Sequence, residues 1–313
     1  MKIAFVGMGS IGKRHIKNVS SYLNDKKEPY SIHLYRSGKG SPLDPEVESL
    51  ISLQRTNAYE LQDTDFYDAV FITNPTSEHY DTLVKFKNHA KAFFIEKPVF
   101  DQADVDRTLL DKLDESKCYV ACPLRYNPVL EYVDKEIDLS KVISARAISS
   151  SYLPDWRPGV DYRQCYSAHA DMGGGVDIDL IHEWDYLVHL FGEMKNGFAI
   201  RDRISDLEID SNDIAIYIAN TERMTVEVHL DYFGRKTQRI LELIAKDDTI
   251  ICDILNGEIK FLKEDKVMKF ENERNAFQMK EIAHFFEIVS EKIESDSTIG
   301  HAIKVLNYAK GEF

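Results

Sequence analysis

The fold of this chain is decided by the stretch Met1-Lys2-Ile3-Ala4-Phe5-Val6-Gly7-Met8-Gly9-Ser10-Ile11-Gly12. Its apolar residues 3–6 are typical of a short buried strand, and the G-x-G-x-x-G loop that follows opens a helical pattern. This order suits dinucleotide binding, because a helix N-terminus directs N–H groups and a positive dipole end at a pyrophosphate. We therefore expect a nicotinamide dinucleotide to be bound by Gly7, Gly9, Ser10, Ile11 and Gly12.

The three glycines have different physical roles. Gly7 permits the tight turn, Gly9 lets the backbone approach a pyrophosphate without a Cβ in between, and Gly12 allows close packing of helix on strand. The alternative is a plain strand–turn–helix unit that binds nothing.

Length and charge narrow the possible architectures and partners. At 313 residues the chain exceeds what one hydrophobic core usually supports, which predicts two domains. With 39 basic and 53 acidic residues the net charge is −14, which argues against a nucleic-acid or anionic-membrane partner. The apolar start is too short for a signal peptide and no run is long enough to span a membrane, so we expect a cytoplasmic protein.

The 4 cysteines show no pattern of functional chemistry. Cys118, Cys122, Cys165 and Cys252 form neither a C-x-x-C pair nor the spacing of zinc ligands. We therefore expect reduced thiols, no disulfide and no metal.

The second predicted strand, residues 31–35, ends where a Rossmann fold reads the adenine ribose. An NAD site would place an acidic residue here for the 2′-hydroxyl. This chain instead has Arg36, Ser37 and Lys39, which can hold a 2′-phosphate. We therefore expect NADP, with NAD as the alternative. Arg36 could instead stack on the adenine while Lys39 is a solvated loop charge.

Two further predicted strands, residues 68–73 and 91–95, end in polar loops. The first runs into Asn74-Pro75-Thr76-Ser77 and a helix from about Glu78, and the second into Glu96-Lys97-Pro98. Ligands of Rossmann folds bind at the carboxyl ends of parallel strands. We therefore count as cofactor-binding Asn74, Pro75, His79, Glu96 and Lys97.

These motifs have a family resemblance. A glycine loop followed by His15, an Asn-Pro-Thr turn with His79, and Glu96-Lys97-Pro98 together resemble the glucose-fructose oxidoreductase, inositol dehydrogenase and MocA (Gfo/Idh/MocA) family. The resemblance implies a dinucleotide-binding domain followed by an open sheet that carries substrate and subunit contacts, with the last helix packed on the first domain. It also implies that Lys97 is a catalytic or proton-relaying residue, and we expect a homodimer or homotetramer.

The domain boundary is predicted near Cys122, after a helical pattern from Asp101 to about Lys117 and a strand at 119–121. This gives domains 1–122 and 123–313. Arg125 resembles the family's arginine at the start of the second domain, where it would bind substrate. A structural arginine tying the two domains together is the alternative.

The second domain has repeated strand signals without intervening helices, which predict an antiparallel sheet. They lie at residues 143–152, 214–219, 225–230, 239–245, 249–254, 259–262 and 267–270. Asn256-Gly257 predicts a hairpin turn, and two helices at about 277–293 and 298–310 close the chain. The predicted fold class is an α/β Rossmann domain with a parallel sheet, followed by an α+β domain with an open, mainly antiparallel sheet.

Residues 153–166 form a long segment in which two prolines and a glycine exclude a regular helix. Its aromatic rings and arginines suit a sugar and a phosphate, and a dimer-interface arm is an equally weighted alternative. The expected substrate-binding residues are Trp156, Arg157, Tyr162, Arg163 and Tyr166. The chain most resembles family members of surface-polysaccharide sugar pathways, which implies a nucleotide-linked sugar as the substrate.

A helical pattern over residues 176–192 follows three glycines, 173–175. At 3.6 residues per turn, Asp179, His182, Tyr186 and His189 form one polar stripe. An exposed face rarely gathers two histidines and a tyrosine, so we expect this stripe at a ligand site, with Tyr186 on the substrate, although it could simply face water. The family places its aspartate four residues before the histidine. Here the interval is three, which keeps both on one helix face.

The predicted chemistry is hydride transfer between nicotinamide and a carbinol carbon of a sugar. Lys97 or His182 takes the proton, and Asp179 orients the imidazole. Two other classes stay open. One is a sugar-responsive regulator that binds a dinucleotide without turnover, and the other is a redox-neutral lyase or glycosidase that oxidises its substrate transiently.

Overall fold

The computed structural model describes residues 1–38, 42–56, 60–111 and 113–313. These residues form two compact units. The first comprises Met1–Ala121 and Gln278–Ile303, and the second comprises Cys122–Phe277 and Lys304–Phe313.

The strands of the first unit form a six-stranded sheet in the order β3-β2-β1-β4-β5-β6. They are β1 (Lys2–Val6), β2 (Ser31–Tyr35), β3 (Leu53–Arg55), β4 (Tyr67–Ile72), β5 (Ala90–Ile95) and β6 (Cys118–Val120). Every pair is parallel. The strand order reverses between β1 and β4, which makes the carboxyl ends of these two strands the expected ligand-binding edge.

The described helices are α1 (Ser10–Asp25), α2 (Pro45–Glu48), α3 (His79–Phe86), α4 (Pro128–Glu136), α5 (Val176–Asp179), α6 (His182–Phe191), α7 (Arg274–Val289) and α8 (Ile299–Ala309). Among them, none combines the length and hydrophobicity that a bilayer crossing needs.

Both faces of the six-stranded sheet are covered. On one face Phe71 and Phe94 stack with ring centroids 4.9 Å apart, and Phe285 of α7 meets both rings edge-on at 5.2 and 5.3 Å. On the other face Leu83 of α3 and Ile303 of α8 belong to the buried cluster. This double coverage explains the continuous apolar runs of the strands and confirms the predicted Rossmann fold.

The helix predicted from Asp101 to Lys117 is wrong. The described part of this segment contains two short 3₁₀ turns, at residues 107–110 and 115–117. The Asp106 side chain accepts from Thr108 N at 3.0 Å, and the Asp114 side chain accepts from Ser116 N at 3.1 Å. Such local bonds from aspartate to backbone compete with a continuous helix.

The second unit contains an eight-stranded sheet in the order β14-β13-β12-β11-β7-β10-β9-β8. Its strands are β7 (Val142–Tyr152), β8 (Asn196–Asp202), β9 (Ile214–Asn220), β10 (Thr225–Asp231), β11 (Phe233–Ala245), β12 (Thr249–Asp253), β13 (Glu258–Phe261) and β14 (Lys266–Lys269). The β7–β10 pair is parallel and the other pairs are antiparallel, which confirms the predicted mainly antiparallel sheet.

The two faces of this second sheet differ. On one face Trp184 of α6 is fully buried and meets Tyr217 of β9 edge-on at 5.2 Å. Strands β8 and β9 expose large apolar side chains, with Phe198 at 66 % and Ile218 at 54 % exposure. The sheet therefore has an exposed apolar face at these strands. Its strand order has two ends, β14 and β8, so the sheet is open, as predicted.

Candidate cofactor and active-site residues

The glycine loop joins β1 to α1 at the carboxyl edge of the first sheet. Gly7 has φ of +95°, and a Cβ there would lie 2.4 Å from Asn74 N. A Cβ on Gly12 would lie 2.8 Å from Thr73 Oγ1, whereas no described atom lies within 4 Å of a Cβ on Gly9. The loop is thus packed tightly against the end of β4 and leaves the backbone at Gly9 open to approach.

The N-terminus of α1 fits an anionic ligand. Gly9 is the N-cap residue, and no side chain in the described part of the chain caps this helix. The first-turn N–H groups have no intrahelical partner, so they suit the oxygens of a pyrophosphate. Ser10 is exposed here and Ile11 is half-buried, so both predicted loop residues lie at the open end of the helix.

The predicted ribose-reading residues follow β2 directly beside this loop. Gly7 N donates to Tyr35 O at 2.9 Å, which places the next residue, Arg36, at the same edge. Arg36 is half-buried, its N–H donates to Arg55 O at 3.1 Å, and Ser37 is exposed. Lys39 lies outside the described residues.

Glu96-Lys97-Pro98 ends β5 at the same edge, and its glutamate is held on both oxygens. Glu96 Oε1 lies 2.5 Å from His15 Nε2 of α1, and Glu96 Oε2 accepts from Lys97 N at 3.2 Å. The side chains of His15 and Glu96 are 1 % and 12 % exposed. Burial alone would raise the pKa of Glu96, but the hydrogen bond and charge of His15 outweigh it, so this pKa lies below its usual value. An ionised Glu96 thus ties the helix of the glycine loop to the backbone of Lys97, which is half-buried and joined to Pro98 by a cis peptide bond.

His79 connects the loops that follow β4 and β5. Its ring is 1 % exposed, with Nε2 3.0 Å from Asn74 O and Nδ1 3.1 Å from Pro98 O and 3.2 Å from Val99 O. Burial lowers the pKa of His79, so the neutral ring is favoured. Its described contacts are to protein carbonyls, so its contribution to a cofactor site is to hold the two loops together.

Asn74 presents a free acceptor in this region. Its Nδ2 donates to Glu78 Oε2 at 3.1 Å and to Thr82 Oγ1 at 2.8 Å. Its buried Oδ1 has no hydrogen-bond partner among the described residues, and the adjacent Pro75 is exposed. A buried acceptor without a partner is costly, so this atom fits a donor group of a bound ligand. Together with the open backbone at Gly9, it makes these residues compatible with a nicotinamide dinucleotide.

The polar stripe predicted on residues 176–192 is not formed. The segment is two helices, because α5 ends at Asp179 and α6 begins at His182. Tyr186 is 1 % exposed, and burial together with the charge of Glu183 raises the pKa of Tyr186 well above its usual value. Glu183 is itself fully buried, with Arg239 Nε 2.8 Å from its Oε1. This ion pair allows a polar helix side to be buried, so Tyr186 lies in the core and His182 is half-buried at the first position of α6.

Asp179 is the centre of a tyrosine network. Its carboxylate is 6 % exposed and accepts from Tyr166 Oη at 2.5 Å and from Tyr232 Oη at 2.6 Å. Burial, with the charge of Asp179 next, raises the pKa of both tyrosines, so both stay protonated as donors. Tyr232 was missed in the sequence, because it lies between β10 and β11 and belongs to no predicted strand or motif. This network anchors the predicted substrate loop to α5.

Two more loop residues lie around the same network. Trp156 donates from Nε1 to Ser151 Oγ at 2.9 Å and meets the Tyr232 ring edge-on at 5.2 Å. The Arg157 guanidinium lies 5.6 Å from the Tyr166 ring centre. The structure thus brings Trp156, Arg157 and Tyr166 together.

Arg163 and Tyr162 contact Asp161 and Glu208 instead of this network. The Arg163 guanidinium pairs with Asp161 at 2.8 Å and with Glu208 at 2.7 Å. The Tyr162 hydroxyl accepts from Glu208 N at 3.2 Å. Two carboxylates already neutralise Arg163, which makes it a weak candidate for binding an anionic substrate.

Arg125 is part of a buried ion pair within the second unit. Its Nε donates to Asp185 Oδ2 at 2.9 Å and its Nη2 to Asp185 Oδ1 at 2.7 Å. The two side chains are 4 % and 12 % exposed. This bidentate pair fixes α6 to the turn at residues 123–126, which favours a positioning role for Arg125 over direct substrate binding.

Comparison with known proteins identifies the first part of the chain. Residues 1–122 match the GFO_IDH_MocA family, described as "Oxidoreductase family, NAD-binding Rossmann fold". The scyllo-inositol 2-dehydrogenase (NAD(+)) of Bacillus subtilis is 24 % identical over 200 residues, which are 61 % of this chain and 54 % of that protein. The inositol 2-dehydrogenase of Rhizobium meliloti is 26 % identical over 197 residues, 62 % of this chain and 56 % of that protein. The match thus spans about half the length of these relatives.

A solved structure extends the likeness of fold to the whole chain. The WlbA dehydrogenase of Bordetella pertussis, in complex with NADH and UDP-GlcNAcA, superposes with a TM-score of 0.77 at 13 % identity. The alignment covers 99 % of this chain and 94 % of that one.

Proposed function

We propose that this chain is an oxidoreductase of the Gfo/Idh/MocA family, with residues 1–122 as its NAD-binding Rossmann domain, and that it interconverts a CH–OH group and a carbonyl group of a sugar. Nicotinamide, when bound, supplies or accepts the hydride. The residues of this chain bind the two reactants, orient them and move the proton.

The proposal rests on the position of Lys97. It follows a buried strand at the ligand-binding edge, and Glu96 Oε2 holds its backbone N–H at 3.2 Å. The other oxygen of Glu96 is held by His15 on the helix of the glycine loop. A base fixed to the cofactor-binding helix in this way is suited to act on a carbon that exchanges hydride with nicotinamide.

The proton balance assigns the roles. In the oxidation direction the substrate hydroxyl gives its proton to the neutral amine of Lys97 while the hydride leaves the same carbon, and a carbonyl remains. In the reduction direction the Lys97 ammonium returns that proton to the oxygen. His182 is the second candidate for this role, with Asp179 as its positioning residue.

We further propose that the sugar is nucleotide-linked or otherwise anionic. A chain of net charge −14 needs local cations and donors to bind an anion. Support comes from Arg157, placed beside Tyr166 in the anchored loop. The similar fold of the WlbA dehydrogenase, which binds UDP-GlcNAcA, points the same way.

For the cofactor we propose NADP, with NAD as the alternative. Arg36 and Ser37 stand at the ribose-reading edge, where an NAD site has an acidic residue. The relative from Bacillus subtilis is named as an NAD(+) enzyme, so the two cofactors must be compared directly.

The test is a screen of free and nucleotide-linked sugars for a change in reduced-nicotinamide absorbance, with NAD and NADP in both directions. Lys97→Met should lose the activity. The matched control is Lys91→Met, because Lys91 is on the same strand and pairs with Asp68 at the surface at 2.7 Å. Product formation without net cofactor reduction would replace the proposal by a redox-neutral enzyme. Dinucleotide binding without turnover on any sugar would favour a regulator.

Cytoplasmic location and a homodimer or homotetramer stay predictions. Cell fractionation and light scattering on the purified protein test them.

A further inference from the structure

A groove in the second unit has the chemistry of a nucleotide-binding site. Its volume is about 340 Å³, within the usual range of ligand pockets. The residues that matter for recognition are Tyr152, Tyr162, Ser205, Asp206, Phe233 and Arg235. We propose that this groove binds the nucleoside diphosphate part of a nucleotide-linked sugar, with Arg235 on the phosphates and the aromatic rings against the base. This inference rests on the proposed function and assigns a site to the nucleotide part of the substrate.

A bulge in β11 creates the cationic side of the groove. In the pairing of β11 with β7, Phe233 lies opposite Tyr152 and Gln238 opposite Ser150. The five residue steps from Phe233 to Gln238 therefore oppose two steps of β7. Such bulges bend a strand and re-aim side chains, and they are enriched next to active sites.

The bulge directs Arg235 onto an aromatic ring. The guanidinium lies 3.9 Å from the centre of the Tyr152 ring. Stacking covers one flat face of a guanidinium and leaves its N–H edge free to bind phosphate in a bidentate way. Gly234 allows β11 to lie close to β7 beside this contact, because a Cβ there would lie 1.8 Å from Ser150 Oγ.

Buried aspartates fix the walls of the groove. Asp231, 3 % exposed, accepts from Phe233 N at 3.1 Å and from Gly234 N at 2.7 Å. Asp213, fully buried, accepts from Ile204 N at 2.8 Å and from Ser205 N at 3.0 Å. A site whose backbone is already fixed loses less conformational entropy when a ligand binds.

The charges of the groove favour a phosphate at Arg235 over one at Arg163. Arg163 is neutralised by Asp161 and Glu208, whereas Arg235 stacks on Tyr152 and is followed by exposed Lys236. The carboxylate of Asp206 repels phosphate but accepts hydrogen bonds from ribose hydroxyls. The flat rings of Tyr162 and Phe233 suit the base, because every base has an aromatic face.

The test is isothermal titration of the full chain with uridine diphosphate, inorganic phosphate and uridine. We expect Arg235→Ala to weaken uridine diphosphate binding by about tenfold or more, as the loss of a charge-assisted phosphate contact does. Arg163→Ala, the matched control, should change it by less than about twofold. Both arginines are exposed, and thermal unfolding will verify that both variants fold. Equal losses in the two variants, no binding of uridine diphosphate, or equal affinity for inorganic phosphate would overturn the inference.

Failure of this inference can be told from failure of the proposed function. Oxidation of a free sugar by a chain with no affinity for uridine diphosphate would leave the dehydrogenase activity standing and remove the groove as a nucleotide site. Binding of uridine diphosphate that depends on Arg235, without any nicotinamide turnover, would support the groove and remove the dehydrogenase proposal.

Discussion

Gly9→Ala should weaken dinucleotide binding without destabilising the protein. The backbone at Gly9 has φ of −75° and ψ of −171°, an extended conformation that any residue adopts. A Cβ there meets no described atom within 4 Å. The free energy of unfolding should therefore change by less than about 0.5 kcal/mol, or rise by about 0.4–1 kcal/mol because alanine restricts the unfolded chain.

The loss of binding follows from the same open space. If the pyrophosphate approaches the backbone at Gly9, the new methyl group must be accommodated between the two. Extra methyl groups in close-packed contacts cost about 1–3 kcal/mol, which corresponds to a roughly 5- to 150-fold higher Kd.

Gly7→Ala provides the opposite control. Its φ of +95° and a Cβ position 2.4 Å from Asn74 N make alanine strained at this site. The left-handed conformation costs about 1–2 kcal/mol and the overlap about 1–3 kcal/mol, so this variant should lose stability. Urea denaturation measures the stabilities, and fluorescence titration with NADH and NADPH measures the affinities. A folded Gly9→Ala protein with unchanged affinity would refute the placement of the cofactor on this loop.

Three further predictions concern chemistry, cofactor choice and pH. Lys97→Ala and His182→Ala should each reduce turnover by about 10²–10⁴-fold while cofactor affinity stays nearly unchanged in titrations, and near-normal turnover in Lys97→Ala would end its catalytic assignment. Arg36→Asp should narrow or reverse a preference for NADP(H), measured as the ratio of the two Kd values, and equal affinities in the unmutated chain would contradict this idea. Because burial lowers the pKa of His79, the unfolded chain takes up a proton that the folded chain does not. The contribution of His79 to the free energy of unfolding should be complete above about pH 6.5 and should decrease as the pH falls, by at most about 1.4 kcal/mol per pH unit. His79→Gln should remove this pH dependence from denaturation curves measured at about pH 5–7.

Much of the fold could be predicted because its elements have local signals. The strand predicted at residues 31–35 is β2, and Asn256-Gly257 stands in the turn between β12 and β13, where Gly257 has φ of +68°. Strand β8 was missed because nearly all of its side chains are exposed, so its sequence lacks the alternation of a half-buried strand. The three-residue β3 was too short to give a signal.

The candidate-site residues likewise divide into those with a local sequence signal and those placed by long-range contacts. The glycine loop and Glu96-Lys97-Pro98 are short motifs whose placement follows from the strands before them. The bonds of Asp179 to Tyr166 and Tyr232 join residues far apart in sequence, so no local pattern indicates them. Helical periodicity wrongly predicted that Tyr186 faces a ligand. The polar side of this helix is buried because Glu183 pairs with Arg239, which lies on a distant strand, and local periodicity cannot indicate such a partner.

The discontinuity of the first unit affects how the protein is made. Phe285 and Ile303, which cover the two faces of the parallel sheet, follow the whole stretch Cys122–Phe277 in the chain. During synthesis the strands of that sheet leave the ribosome before either residue exists, so Phe71 and Phe94 should remain accessible to chaperones until α7 arrives. Translation order thus makes the nucleotide-binding half the first to emerge and among the last to be completed.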